Sequence, residues 1–188
     1  MSSSKLIVIT APSGAGKTTI AKYLLEQIPS LEFSVSATTR AKRSEETEGA
    51  DYYFLSPEEF KKKIAGNEFV EWEEVYAGTF YGTLKKEIDR IREKEQNVLF
   101  DVDVKGAVNL KKKYPDQTFT LFIKPPSYEI LKDRLQTRAT EAPEKIAERI
   151  QRASEEMKYE EKFDMVITND DLVKTLNKAE EVVKNFLA

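Results

Sequence analysis

The chain has 188 residues, 30 of them basic and 33 acidic for a net charge of −3, and it contains neither cysteine nor histidine. That length suits one domain burying roughly 70% of its unfolded surface. The missing residue types exclude thiolate and imidazole metal sites, cysteine or histidine nucleophiles and Ser-His-Asp chemistry, so any metal must rest on oxygen ligands, which points toward Mg²⁺.

The N-terminal MSSSKLIVIT has too short an apolar run for a secretory leader, and no stretch reaches the ~20 residues of a membrane span. With charge nearly balanced, no global field draws the chain to nucleic acid or membrane. The expectation is a soluble cytoplasmic protein. Leu6-Ile7-Val8-Ile9 reads as a buried strand. A glycine-containing turn leads from it into a helix from Lys17 to Ile28, with Ile20, Leu24, Leu25 and Ile28 on one face. From about Ser34 to Gly82, aromatics, charges and short alternating runs predict a small inserted lobe. Val98-Leu99-Phe100 is the next strand, running into Asp101-Val102-Asp103 and a helix through about Lys113. Phe119 to Ile123 forms another strand, stopped by Pro125-Pro126, with a helix from Ser127. From about Arg134 to Arg152 the chain is charged and helical, with Pro143 at a helix start. Met165-Val166-Ile167 precedes a last helix striped by Leu172, Leu176, Ala179, Val183 and Phe186. Such strand–helix repetition predicts an α/β fold whose parallel sheet is covered on both faces.

Ala11-Pro12-Ser13-Gly14-Ala15-Gly16-Lys17-Thr18 fits G-x-x-x-x-G-K-[ST] at every fixed position but the first, where alanine stands for glycine. The context is the one that motif needs, an apolar strand before it and a helix opening at its end. Gly14 and Gly16 let successive N–H groups point inward as an anion nest, and the helix adds its positive end. Lys17 is placed to reach β- and γ-phosphates, and the Thr18 hydroxyl to hold Mg²⁺. Asp101 and Asp103 end a buried strand, where ligands of open α/β sheets collect. Either is a candidate to orient the metal through water.

Beyond the phosphate loop, an ordered set of motifs resembles the guanylate kinases over nearly the whole chain. Its members are Phe33-Ser-Val-Ser36, Thr38-Thr-Arg40, Arg43, Gly49-Ala-Asp-Tyr52, Glu68-Phe-Val-Glu71-Trp72 and Tyr81-Gly-Thr83, then Asp101-Val-Asp103, Gly106, Pro125-Pro-Ser127, Arg134, Arg138, Arg149 and Asn169-Asp-Asp171. The resemblance implies a P-loop NTPase fold with a central parallel sheet flanked by helices, an inserted GMP-binding lobe and a helical lid. The core would comprise 1–33, 84–133 and 153–188, the lobe about 34–83 and the lid about 134–152. ATP would sit on Ala11 to Thr18, with Asn169 beside adenine. The GMP phosphate would meet Arg40, Arg43, Tyr52 and Tyr81, and guanine would meet Ser36, Glu71, Thr83 and Asp101. Arg134, Arg138 and Arg149 would be lid arginines that serve the transition state with Lys17. Taken alone, several of these have plainer readings: Glu71 beside Trp72 is a solvated strand residue, and Tyr52 and Tyr81 are packed aromatics. The chain departs from the family pattern at Ala11, Lys42, Glu45, Thr79, Lys105 and Ala139, and none of these removes a proposed phosphate ligand.

The reaction so implied is ATP + GMP giving ADP + GDP, a step of purine nucleotide metabolism. An acceptor phosphate already ionised at neutral pH needs no strong general base, which suits a chain without histidine. Two other readings use the same fold: a scaffold that binds phosphopeptides without catalysis, and a kinase for another phosphorylated acceptor such as a ribose bisphosphate. The first would show a degraded phosphate loop and missing lid arginines, and Glu71 with Thr83 argues against the second. Monomer and homodimer both remain open.

Overall fold

Every residue of the first strand, β1 (Leu6–Thr10), is buried, and its two faces feed two different cores. Ile7 and Ile9 join Ile20, Leu24, Leu99, Leu121, Ile123 and Val183 on one side of a sheet. Leu6 and Val8 join Ile88, Ile91, Val98, Phe100 and Leu110 on the other. A strand covered on both faces must be apolar at consecutive positions rather than alternate ones, hence the unbroken run LIVI. The computed structural model describes residues 4–137 and 143–188.

After β1 come α1 (Lys17–Gln27), β2 (Leu31–Phe33), β3 (Ala37–Thr38), β4 (Tyr53–Phe54), α2 (Pro57–Ala65), β5 (Phe69–Tyr76), β6 (Thr79–Leu84) and α3 (Lys85–Arg92). There follow β7 (Asn97–Asp101), α4 (Val104–Lys113), β8 (Thr118–Lys124), α5 (Tyr128–Thr137), α6 (Pro143–Met157), β9 (Met165–Thr168) and α7 (Leu172–Leu187). The main sheet is parallel, in the order β2-β7-β1-β8-β9. The chain leaves β1 toward β2 on one side and leaves β7 toward β8 on the other. The switch in direction therefore falls between the C-terminal ends of β1 and β7, where Ile9 lies beside Asp101. Crevices at such points collect ligands in open α/β sheets. Among the described residues, no helix is long and apolar enough to cross a membrane.

A second, smaller sheet, β4-β3-β6-β5, carries its own core of Ala37, Phe60, Phe69 and Leu84. Phe60 on α2 stacks on Phe69 with ring centroids 4.3 Å apart. α2 begins sharply because Ser56 and Glu59 cap each other's backbone and Pro57 takes the first helical position. Over α5 and α6 a separate cluster forms from Leu131, Leu135 and Ala153.

Glu87, on α3, ties the two sheets together. Its carboxylate is 1% exposed and accepts from Val35 N–H at 3.0 Å, where the chain departs the main sheet. It also accepts from the Tyr53 hydroxyl at 2.7 Å, on the second sheet, and from Arg90 at 3.0 and 3.1 Å. Arg90 reaches on to Glu32 and to the Phe33 carbonyl. Burial alone pushes the Glu87 pKa up, but Arg90, Tyr53 and the Val35 amide outweigh it and hold the carboxyl below the ordinary value of 4.5.

Replacing Glu87 by Ala removes a charged acceptor from several donors and should lower stability by about 2–3 kcal/mol, read as a lower urea midpoint at unchanged slope. Because the native pKa is depressed, the contribution is present above the unfolded value and is lost as pH falls through the native one. Glu87→Gln should accordingly flatten the loss of stability below pH ~4.5. A stability within about 0.5 kcal/mol of the parent for Glu87→Ala would show that the cluster does not join the sheets.

Candidate active site

The turn after β1 is closed by Ala15 N–H donating to the Pro12 carbonyl at 3.1 Å. Gly14 and Gly16 sit at φ of 87° and 100°, left-handed values that glycine adopts at no steric cost. At Gly16 a second constraint applies: a β-carbon there would lie 2.6 Å from Asn169 Nδ2. Asn169, buried at the end of β9, uses that amide to donate to the Ala15 carbonyl at 2.8 Å. It thereby braces the phosphate loop from behind.

The N-terminus of α1 has no side-chain cap and no acidic residue in its first turn. By contrast, α2, α4 and α7 are capped by Ser56, Asp103 and Asp171. An uncapped helix start keeps backbone N–H donors and the positive dipole end for an external anion. Lys17 begins this helix. Its ammonium pairs with Asp101 at the end of β7 and donates to the Val102 carbonyl at 3.1 Å. Burial disfavours its charge, but Asp101 prevails and the pKa stands above the ordinary lysine value.

One cavity of about 530 Å³ joins the phosphate loop to the second sheet. Ala11, Pro12, Ser13, Gly14, Gly16, Lys17 and Thr18 line it from the loop after β1, with Asp101 and Asp103 also in its lining. Ser36, Arg43, Tyr52, Glu71 and Tyr81 line the opposite side, and Arg149 borders it from α6. Of the residues singled out from the sequence, Ala15, Arg40, Thr83, Arg134 and Asn169 lie outside this lining. Arg138 lies outside the described residues.

Those outside the lining support those within it. Arg40 donates to Glu46 at 2.7 and 2.9 Å and to the Ala41 carbonyl at 2.8 Å, while its guanidinium lies 5.2 Å from the Tyr52 ring centre. Glu46 also accepts from Arg43 N–H at 2.8 Å. The hydrogen bonds from Arg40 hold Glu46 down to about 2, so it stays ionised. Thr83 is buried and gives its hydroxyl proton to Glu71 Oε1 at 2.7 Å. Arg134 reaches from α5 to the Asn169 carbonyl at 3.4 Å.

Glu71 is 8% exposed, against the solvated position that the residue alone suggests. Burial is the main cause that pushes its pKa up to about 7, with Asp103 and Glu73 adding to the rise and Thr83 opposing it. Room for the carboxylate depends on the absence of a side chain at Gly106, where a β-carbon would stand 2.7 Å from Oε2. Asp103 accepts from Gly106 N–H at 2.8 Å and from Arg152 at 3.0 Å.

Sequence reasoning missed Glu46 and Arg152 as organisers of the site. Glu46 lies among charged loop residues, and Arg152 meets its partners across 49 and 77 residues. No local pattern marks either.

Comparison with known proteins agrees with this geometry. Residues 3–186 match the family model described as guanylate kinase. A guanylate kinase of Porphyromonas gingivalis is 50% identical over 185 residues, 98% of each chain. That of Chlorobaculum tepidum is 51% identical over 184 residues, 97% of this chain and 93% of the relative. The crystal structure of guanylate kinase from Anaplasma phagocytophilum superposes with a TM-score of 0.79 at 32% identity, covering 97% of this chain and 85% of the other. The fold is thus that of the P-loop NTPases, and the chain belongs to the guanylate kinase family.

Proposed function

We propose that the chain transfers the γ-phosphoryl group of ATP to GMP, forming ADP and GDP. One observation carries this reading: a phosphate loop with an uncapped helix start and a buried carboxylate, Glu71, face each other across a single cavity. The first suits a polyphosphate, the second a base presenting adjacent N–H donors. Guanine offers N1–H and N2–H₂ to one carboxylate, whereas adenine presents a lone pair at N1 and is repelled.

In the proposed step, a phosphate oxygen of GMP attacks the γ-phosphorus of ATP while the bond to the β,γ-bridging oxygen breaks. The acceptor is already ionised, so no proton leaves it. Catalysis is then positioning and charge neutralisation. The loop N–H groups and Lys17 hold the donor, with Asn169 fixing the loop. Arg43, Tyr52 and Tyr81 hold the acceptor phosphate, with Arg40 aligned behind them by Glu46. Ser36, Glu71 and Asp101 face guanine, and Thr83 orients Glu71. Arg149, together with Arg134 and Arg138, supplies positive charge to the moving group. A scaffold that only recognises phosphopeptides has no use for an intact Lys17 loop with Arg149 bordering it, and this reading is not favoured.

A divalent ion accompanies ATP in kinases, and Mg²⁺ fits the donors present. Among the described residues, no three carboxylates form a metal-binding group, and Asp103 is engaged by Gly106 and Arg152. With Asp101 likewise engaged by Lys17, such a set would suit a hard cation held largely by phosphate oxygens and water, the Thr18 hydroxyl being its direct protein contact and Asp101 and Asp103 acting through water. When bound, the ion neutralises charge on the β- and γ-phosphates.

Lys17→Met should lower kcat by at least ~100-fold in a coupled assay with ATP and GMP. Near-normal turnover would remove Lys17 from the mechanism.

Glu71 must be ionised to accept from guanine, and its native pKa is raised to about 7. kcat/KM for GMP should therefore rise with pH through about 7 and level above it. Glu71→Gln should lower kcat/KM by ~10- to 150-fold, the loss of a charged hydrogen bond. It should also abolish that limb, leaving only the ionisation of the substrate phosphate near pH ~6. An unchanged limb in Glu71→Gln would assign the titration elsewhere.

A further inference from the structure

Arg152, on α6, joins three separately built parts of the molecule through one planar group. Its Nε donates to Glu156 Oε1 at 2.7 Å, one turn along the same helix. Its Nη1 donates to the Val75 carbonyl at 2.6 Å, near the end of β5 in the second sheet. Its Nη2 donates to Asp103 Oδ2 at 3.0 Å, the residue that caps α4 on the main sheet. The guanidinium also lies 5.0 Å from the Tyr76 ring centre. Burial disfavours this charge, but Glu156, Tyr76 and Asp103 outweigh it.

The arrangement is specific to arginine. Three acceptors from three elements are met by the divergent N–H vectors of one rigid fork, which a lysine ammonium on a flexible stem does not reproduce. The partners are committed as well. Glu156 is 7% exposed and its second oxygen has no hydrogen-bond partner, so its place depends on Arg152. Asp103 spans Arg152 and the first turn of α4.

Arg149 lies one turn earlier on α6 and shares a face with Arg152. It donates to the Ser13 hydroxyl of the phosphate loop at 3.1 Å. Where α6 sits on β5 and α4 therefore decides where Arg149 points. We propose that Arg152 is a positioning residue for phosphoryl transfer: its three-way clasp seats the lid helix against the acceptor lobe and the core, and so aims Arg149 at the phosphate loop. This rests on the phosphotransfer reading above. The clasp acts on the transferring group rather than on ATP binding, because the loop that holds ATP is shaped by β1 and Asn169.

The test compares the full-length parent, Arg152→Lys and Arg152→Met in initial-rate assays with ATP and GMP. Arg152→Met should lower kcat by ~10- to 100-fold, the scale of a small misplacement of a catalytic group, with the ATP KM within about 2-fold. Arg152→Lys should recover only part of that loss. A kcat within 2-fold of the parent for Arg152→Met, or full activity in Arg152→Lys, would overturn the proposal. Because the chain has no cysteine, Lys61→Cys on α2 and Ala147→Cys on α6 allow a clean dye pair that reads the lobe-to-lid distance without turnover. That distance should broaden or lengthen in both Arg152 variants, and an unchanged distribution would equally overturn the clasp. If the parent itself fails to phosphorylate GMP, the phosphotransfer reading falls, and the distance measurement still judges the clasp.

Discussion

Lys17, Arg43, Arg149 and Arg152 all line one cavity, and like charges crowded together repel: two unit charges 4 Å apart do so by about 4 kcal/mol near a protein surface. The cluster persists because carboxylates hold its members and their neighbours in place. Asp101 at the end of β7 holds Lys17, Glu46 in the lobe holds Arg40 behind the wall, and Asp103 with Glu156 holds Arg152. A carboxylate so placed limits the repulsion and also fixes the direction in which the cation points. Much of the fold follows from having to deliver these acids to one place. The parallel sheet brings Asp101 beside the loop after β1, the cap of α4 brings Asp103, and the second sheet brings Glu71 and the Arg40 loop.

The same balance places acids as well as cations around the cavity. Glu71 sits where positive charge is least able to help it, buried against Gly106 and next to Asp103 and Glu73. An acid held near neutral pH by its surroundings gains most when a ligand supplies two N–H donors at once. A cationic end at Lys17, Arg43 and Arg149 and an acidic one at Glu71, Glu73 and Asp103 thus share one crevice, as the proposed reading of phosphate and base requires.

What was legible in the sequence is what neighbouring residues dictate together. β1, the phosphate loop and α1 are consecutive, so a strand run, two glycines and a Lys-Thr pair declare them as a unit. The same holds for β7 running through Asp101 into the Asp103 cap of α4. Less legible were β2, only three residues long, and α3, whose buried apolar side chains are Ile88 and Ile91. The burial of Glu71 was hidden too, because it depends on Gly106, which the chain brings in from α4. Arg152 reads from the sequence as part of a charged helix, because its partners Val75 and Asp103 come near it only through tertiary packing. Asn169 is the intermediate case: its motif is legible in the sequence, while its hydrogen bond to the Ala15 carbonyl is made by tertiary packing.

Base choice by the acceptor cavity bears most directly on the proposed function. It is measured as kcat/KM of the unmodified chain for GMP, AMP and a ribose bisphosphate, each with ATP and Mg²⁺ under the same conditions. A cavity that reads guanine by a buried carboxylate should favour GMP over AMP by at least ~100-fold, because the wrong base leaves that buried acceptor unpaired. Equal use of AMP, faster transfer to the ribose bisphosphate, or binding of GMP without any transfer would contradict it.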